Sequence, residues 1–435
     1  MIKKILIPIL LVLSIGASAK QKDSTNVFTL DLQTMARGEI RDGGWNRIED
    51  KNAKLSAFLV SRARLLGGYS RPNLDIRLSL QHQGVWGEAG GGSFNIYEAW
   101  AKVYTNWGLF AQIGRQALAY DDERILGPDD WSVTGYTHDV LKAGYEGHGV
   151  KFHTIFAFNQ NADVVGMGST YYYGGGSPYK TMQMGWLHYD VPVFPLGVSI
   201  LALNIGMQGG KEGKDEHVEW QQLIGGYAKY SPKYWSLEAA YYKQMGFNEN
   251  HVPLDAWMAS VKACINPSEI YGFELGYDYL SGDDSFVVTK PGDLGLIQHK
   301  VLKGFTPVYG SHHSFYGAMD YFYISTFVNG FSPGLQNAFV KAKVNPIKTL
   351  SASVAYHYLA IATDLSHSGI GRTLGHELEV EASWNFFKDA NLSFGFSYMA
   401  GTENMQKLKR AADSGRLIWT WLSISFSPRL LEHRR

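Results

Sequence analysis

The sequence predicts an all-β fold: a single transmembrane antiparallel β-barrel of 18 strands, with long extracellular loops partly folded into its lumen. Three observations carry this. Apolar and polar residues alternate with period two over runs of 10 to 15 residues, whereas ordinary strands cluster near about five or six and a tilted membrane strand needs ~9–11. Aromatics sit on the apolar phase toward strand ends, as in Trp235, Tyr241, Tyr271, Tyr277, Tyr279, Trp384, Phe386 and Tyr398, where membrane interfaces favour them. Very short connectors, among them Gly67-Gly68-Tyr69, Ser231-Pro232-Lys233, Asn266-Pro267-Ser268 and Asn345-Pro346, take turns with longer polar loops, as periplasmic turns and outer loops do in such barrels.

The chain opens with Met1-Ile2-Lys3-Lys4, the apolar run Ile5 to Ile15, and Gly16-Ala17-Ser18-Ala19. A basic start, an apolar stretch and an Ala-x-Ala site make residues 1–19 a signal peptide, the apolar run being shorter than the ~20 residues a spanning helix needs. The rest, 20–435, reads as one barrel, since it shows no linker and no change of composition. Later runs of 18 apolar residues are absent, which excludes helical membrane spans. Cys264 is the single cysteine, so no disulfide framework exists. Forty basic residues balance 40 acidic ones, so no global field argues for nucleic acid.

In the first strand Phe28, Leu30 and Leu32 oppose Thr29, Asp31, Gln33, Arg37 and Glu39. In the second, Leu55, Ala57, Leu59, Ala63 and Leu65 oppose Ser56, Arg62 and Arg64. In the third, Leu74, Ile76, Leu78 and Leu80 oppose Asp75, Arg77, Ser79 and Gln81. Further strands follow near 94–106, 107–116, 138–147, 149–160, 180–190, 197–208, 217–230, 234–245, 254–265, 269–280, 335–345, 348–362, 372–387, 390–401 and 415–427. Parity excludes one more. The turn at Asn345-Pro346 is periplasmic and the strand ending at Leu280 runs outward, so everything between, about 281–334, is one long outer loop, Met319 to Val328 included. The residues after the last strand, Ser427 to Arg435, read as a short periplasmic tail.

In lipid every backbone polar group must be paired, so a spanning sheet closes on itself and its polar phase becomes the lumen. That phase carries Arg37, Arg62, Arg64, Arg77 and Lys102 on early strands and Glu377, Glu379 and Glu381 in a row on a late one. The expected result is a polarised constriction that selects solutes by charge. The stretch Phe110 to Trp131 begins as a strand and ends as an acidic loop with Asp121, Asp122, Glu123, Arg124, Asp129 and Asp130. Strand phase carries Arg115 toward lipid, so a bulge at Gly114 is expected to turn it inward, where Arg115 and Arg124 would anchor the acidic loop as ion pairs.

A barrel enzyme hydrolysing lipids or peptides, or a closed receptor barrel, is the weaker reading. His312-His313, His138-Asp139 and Asp283-Asp284 show no spacing that converges on a metal or a triad. Ser281-Gly282-Asp283-Asp284-Ser285 carries oxygen donors of the kind Ca²⁺ takes, without the twelve-residue calcium loop. No catalytic residue, metal or cofactor is expected.

Gly114-Arg115-Gln116 with its acidic loop and Trp131, then Tyr279-Leu280-Ser281-Gly282-Asp283-Asp284, then the run from Phe305 to Phe322 (FTPVYGSHHSFYGAMDYF), together resemble the alginate export family of outer-membrane porins. The resemblance covers nearly all of the chain after residue 26. It implies an 18-stranded monomeric barrel in the outer membrane of a Gram-negative bacterium, with loops in the channel and an arginine-rich lumen, for which Arg62, Arg64, Arg77, Arg115 and Arg124 are the matching positions. The acidic row at Glu377, Glu379 and Glu381 and the zero net charge depart from that pattern, which favours a channel for small polar or anionic solutes, sugar acids or anionic oligosaccharides, over polysaccharide export.

Overall fold

The computed structural model describes residues 25–45, 47–162, 171–283, 300–322 and 332–435. The expected signal peptide and Asp284 lie outside these residues, as does most of the stretch Met319 to Val328. The strands are β1 (Val27–Asp42), β2 (Ser56–Arg71), β3 (Leu74–Val85), β4 (Ser93–Tyr104), β5 (Leu109–Gln116), β6 (His138–Gly147), β7 (Val150–Phe158), β8 (Thr181–Asp190) and β9 (Leu196–Lys211). They continue as β10 (Lys214–Tyr230), β11 (Trp235–Phe247), β12 (Pro253–Ile265), β13 (Tyr271–Leu280), β14 (Leu335–Ile347), β15 (Leu350–Ala360), β16 (Thr373–Phe387), β17 (Ala390–Gly401) and β18 (Leu417–Phe426). Each pairs antiparallel with its sequence neighbours, and β1 pairs with β18, so the sheet closes without an edge. Closure is what lipid demands of a sheet.

The end of the chain differs from the expected tail. Arg429–Arg434 continues β18 along β1, with Asp31 opposite Arg429 and Val27 opposite Arg434. Ser427-Pro428 interrupts the ladder because proline has no N–H to donate, yet the Pro428 carbonyl still accepts from the Leu32 amide at 3.1 Å. The two segments form one stave, and the barrel has 18.

A second difference concerns Gly67-Gly68-Tyr69, which lies inside β2, with Gly67 opposite Leu78 and Gly68 opposite Arg77. The reversal comes at Pro72-Asn73, where Asn73 takes a left-handed φ of 67°. A tighter one joins β6 to β7, where His148 and Gly149 both have positive φ, 53° and 78°. Two such residues in succession make the turn whose twist matches flanking strands.

Strand faces separate cleanly. On β13, Tyr271, Phe273, Leu275 and Tyr277 are exposed while Asp278 is buried. On β11, Trp235, Leu237 and Tyr241 face out against buried Glu238 and Tyr242. Exposed apolar residues on this scale are those of a surface whose solvent is lipid. The rule that the polar phase points inward fails over part of β8 to β10, although Leu187, Ile200, Trp220 and Ile224 still face outward. There Met182, Met184, Leu201, Leu203, Ile205 and Leu223 are buried inside the lumen, while Thr181, Gln183, Asn204 and Gln222 take the outer phase. Gln183 donates to the Thr181 hydroxyl along β8, and the amides bond across the staves, Asn204 to Gln183 and Gln222 to Asn204, each at 2.8 Å. Pairing their polar atoms lowers the cost of placing them on a lipid-facing surface, and the apolar inner face meets apolar side chains brought in by loops.

Removing Arg429–Arg435 strips the Val27–Asp31 backbone of one of its two ladder partners. The truncated chain is expected to convert from the folded to the unfolded gel band at a temperature a few degrees lower than the full chain, as read from unheated and heated samples.

Candidate functional site

Among the described residues, two loops cross the lumen side by side. The first, residues 117–137, joins β5 to β6; the second, seen in residues 300–322, belongs to the connection from β13 to β14. They meet at one parallel bridge, in which Tyr309 donates to the Ile125 carbonyl at 3.0 Å and Gly127 to Tyr309 at 2.9 Å, and Ser311 donates separately to the Glu123 carbonyl at 2.9 Å. Gly310 permits this approach, since a Cβ there would stand 2.2 Å from the Arg124 carbonyl oxygen. Leu118, Ile125 and Leu126 of the first loop and Phe305 of the second are buried in one apolar cluster with Ile155, Met182, Leu203 and Ile205 of the wall. Burying this surface on β7 to β9 holds the loops across the barrel.

Polar anchors reach the opposite wall. Arg64 pairs with Asp130 at 2.6 Å and Arg62 with the same carboxylate at 3.2 Å. Arg62 also donates to the carbonyls of Asp130 and Ser132, both at 3.1 Å. Arg37 donates to the Trp131 carbonyl at 3.0 Å, and its guanidinium lies 4.1 Å from the centre of the Trp131 ring. Its remaining charge is met by Glu39 at 2.9 Å. Arg124, buried inside the loop, reaches Asp278 of β13 at 3.0 Å, Asp122 at 3.2 Å and the Tyr316 hydroxyl at 2.9 Å. Burial acts to lower its pKa, but Tyr316, then Asp278 and Asp122, outweigh it and hold the guanidinium well above its usual value.

The acidic row acts on the second loop. Glu379 accepts from the Ala318 amide at 2.6 Å and Glu377 from Met319 at 2.9 Å. Gly317 has a φ of 95°, and a Cβ there would stand 2.3 Å from a Glu377 oxygen. Glu377 and Glu379 are therefore a dock for the loop backbone. Glu381 is half-buried beside Lys341 at 3.4 Å.

Arg77 sits inward beside Glu98 at 3.5 Å, and Lys102 lies over the Phe110 ring at 4.3 Å. Arg115 requires correction. It shares the outer phase of Leu109 and Ile113 and pairs with Asp139 of β6 at 2.7 Å, also on that face. No bulge at Gly114 turns it inward, because β5 stays in register with both neighbours. The irregularity lies between β3 and β4, where Ser79 pairs with Glu98 but Leu80 with Ile96. The anchors of the acidic loop are Arg37, Arg62, Arg64 and Arg124; Arg115 is not one of them.

Two residues escaped the sequence reading. Lys142 of β6 and Lys151 of β7 point inward, Lys142 opposite Gln112 and Ile155, and Lys151 opposite Glu146 and His188. Among the described residues neither they nor Lys102 form an ion pair. Alternation within 138–147 placed Lys142 on the phase of His138 and Val140, the available signal.

Cavities lie on both sides of the loops. One of about 1100 Å³ is bounded by the upper part of β1 and by Asp129, Trp131, His312, His313 and Asp320. Another of about 340 Å³ is bounded by Arg124, Lys262, Glu274, Lys341 and Glu381, and again by His313. A third, about 570 Å³, lies by Lys151, His188 and Lys229. His313 stands between the first two, stacked on Trp131 at 4.1 Å and bonded to Asp320 at 3.0 Å. Among the described residues no three His, Cys, Asp or Glu side chains gather as a metal site would need.

Solved structures share this architecture. The OccK11 (OpdR) porin of Pseudomonas aeruginosa superposes with a TM-score of 0.60 at 12% identity over 93% of this chain and 96% of its own. OccAB1 of Acinetobacter baumannii gives 0.60 at 11% identity, over 93% and 97%. OccK2 (OpdF) of Pseudomonas aeruginosa, solved in complex with glucuronate, gives 0.60 at 12%, over 93% and 98%. The fold is that of an outer-membrane porin. No protein-family model and no curated protein matches the chain, so the likeness to the alginate export family rests on its motifs alone. These neighbours are channels from Gram-negative outer membranes, and the barrel fits that location.

Replacing Asp278 with Ala leaves the buried Arg124 short of a counter-charge. Breaking one partner of a buried pair costs about 3–5 kcal/mol; with Asp122 still in place the low end, about 3 kcal/mol, is expected from the urea unfolding midpoint. Limited proteolysis should also cut faster within 117–137.

Proposed function

We propose that the chain is a passive outer-membrane channel for small anionic solutes, sugar acids among them. The observation that carries this is the row of unpaired inward cations, Lys102, Lys142 and Lys151, on a wall whose arginines are otherwise engaged. Gln112 stands between Lys102 and Lys142 in the ladder, so the two lysines are two strand spacings apart, about 10 Å at the backbone. A carboxylate moving along this face meets successive ammonium groups, with Glu98 and Glu146 set among them, and weak multiple sites favour entry and release. The glucuronate bound to OccK2 supports a sugar-acid class.

Export of an anionic polymer is the second reading, favoured by the alginate-family motifs. The loops count against it, since they are bonded to each other and to both walls and divide the lumen at His313. The proposed protein is no enzyme and takes no cofactor. Its surroundings are outer-membrane lipid and diffusing solute, and the barrel works as a monomer.

Reversal potentials in planar bilayers under a salt gradient test the reading. Chloride preference is expected, and Lys102→Gln with Lys142→Gln together should lower the chloride-to-potassium permeability ratio several-fold. A closed barrel would give no conductance steps and no liposome swelling with sugar acids, which would sink the proposal.

A further inference from the structure

Two carboxylates lie at the floor of the large outer cavity. Asp129 and Asp320 are both buried, 7% and 2% exposed, and both border that cavity beside His313. Asp129 comes from the first loop and Asp320 from the second, so the two carboxylates meet only because the loops pack side by side. Asp129 is bound by the backbone N–H groups of His312 and His313, and its own amide donates to Ser311 Oγ at 3.3 Å. Asp320 bonds His313 Nδ1 at 3.0 Å. From β1, Arg37 and Arg41 face the pair, but both are occupied by Glu39, at 2.9 and 2.8 Å. Glu377 of β16 lies near Asp320 and Tyr136 near Asp129, and the charged lining goes on through Asp42, Arg47, Glu49, Asp50, Lys54 and the buried Lys409.

We infer that Asp129 and Asp320 form a proton-dependent charge filter for solutes crossing the junction at His313. The inference rests on the channel reading above. A carboxyl in a poorly solvated site beside a second acid resists ionisation. Burial, then the neighbouring Asp320, push the Asp129 carboxyl up to about 6. Below that value Asp129 is neutral and the floor carries one negative charge fewer; above it the charge returns and repels anions beside His313, which borders both cavities. A cell surface that acidifies would thus admit anions more readily, with no movement of the loops.

The test compares wild type with Asp129→Asn, which keeps the shape and the hydrogen-bond acceptor. Reversal potentials are measured for both at about pH 5 and about pH 8. Wild type is expected to raise its chloride-to-potassium permeability ratio about fivefold on acidification, the factor set by one unit charge at close range. Asp129→Asn should hold the acid-side ratio at both values. Infrared difference spectra on the same samples should show a protonated carboxyl band at acid pH in wild type that the variant lacks. A wild type without pH dependence, or a variant that keeps it, overturns the filter while leaving the channel reading intact. A missing carboxyl band also overturns it. Absence of conductance in both proteins removes the channel reading and the filter with it.

Discussion

The cross-lumen strut formed by the loop 117–137 governs the interior. At one end Asp130 sits between Arg62 and Arg64; near its middle Arg124 reaches Asp278 on a stave across the barrel. A closed wall of 18 strands is too wide for its own side chains to fill. Something must enter the lumen, and charged anchors combined with apolar packing decide where it stops. Charge-assisted bonds, two of them from guanidinium groups shared on one carboxylate, hold better than neutral ones.

That strut changes what the inward charges mean. An arginine ladder reads most simply as a lining for anions, but Arg37, Arg62 and Arg64 spend their donors on the loop backbone, Glu39 and Asp130. Glu377 and Glu379 likewise spend their acceptors on Ala318 and Met319. Among the described residues the groups left without an ion pair include three inward lysines, on β4, β6 and β7. Selectivity then depends on what is unpaired more than on what is present.

The same loops explain the inverted stretch from β8 to β10. Their apolar side chains need an apolar counterface, so Met182, Met184, Leu203 and Ile205 turn inward. The polar residues are then forced to the outside, where a chain of amide bonds satisfies them. A stave is usually apolar toward lipid; here the interior packing outweighs that preference because the outer amides pair among themselves.

Strand positions, closure and the outward phase of β1 to β5 were legible because period-two alternation and aromatic placement are local properties of the chain. Arg37, Arg62 and Arg64 could be placed on the inner face for the same reason. Their partners could not, since Asp130 lies 66 residues from Arg64 and Arg124 lies far from Tyr316, 192 residues on. Arg115 was misplaced by assuming a bulge at Gly114, when the ladder on both sides of β5 runs unbroken and Asp139 offered a partner on the outer face. By itself the sequence determined a closed antiparallel barrel, because alternation states which atoms seek lipid. Only the tertiary structure decided which lumen charges are spent and which remain, because ion pairs form between loops and walls that meet through folding and not through order along the chain.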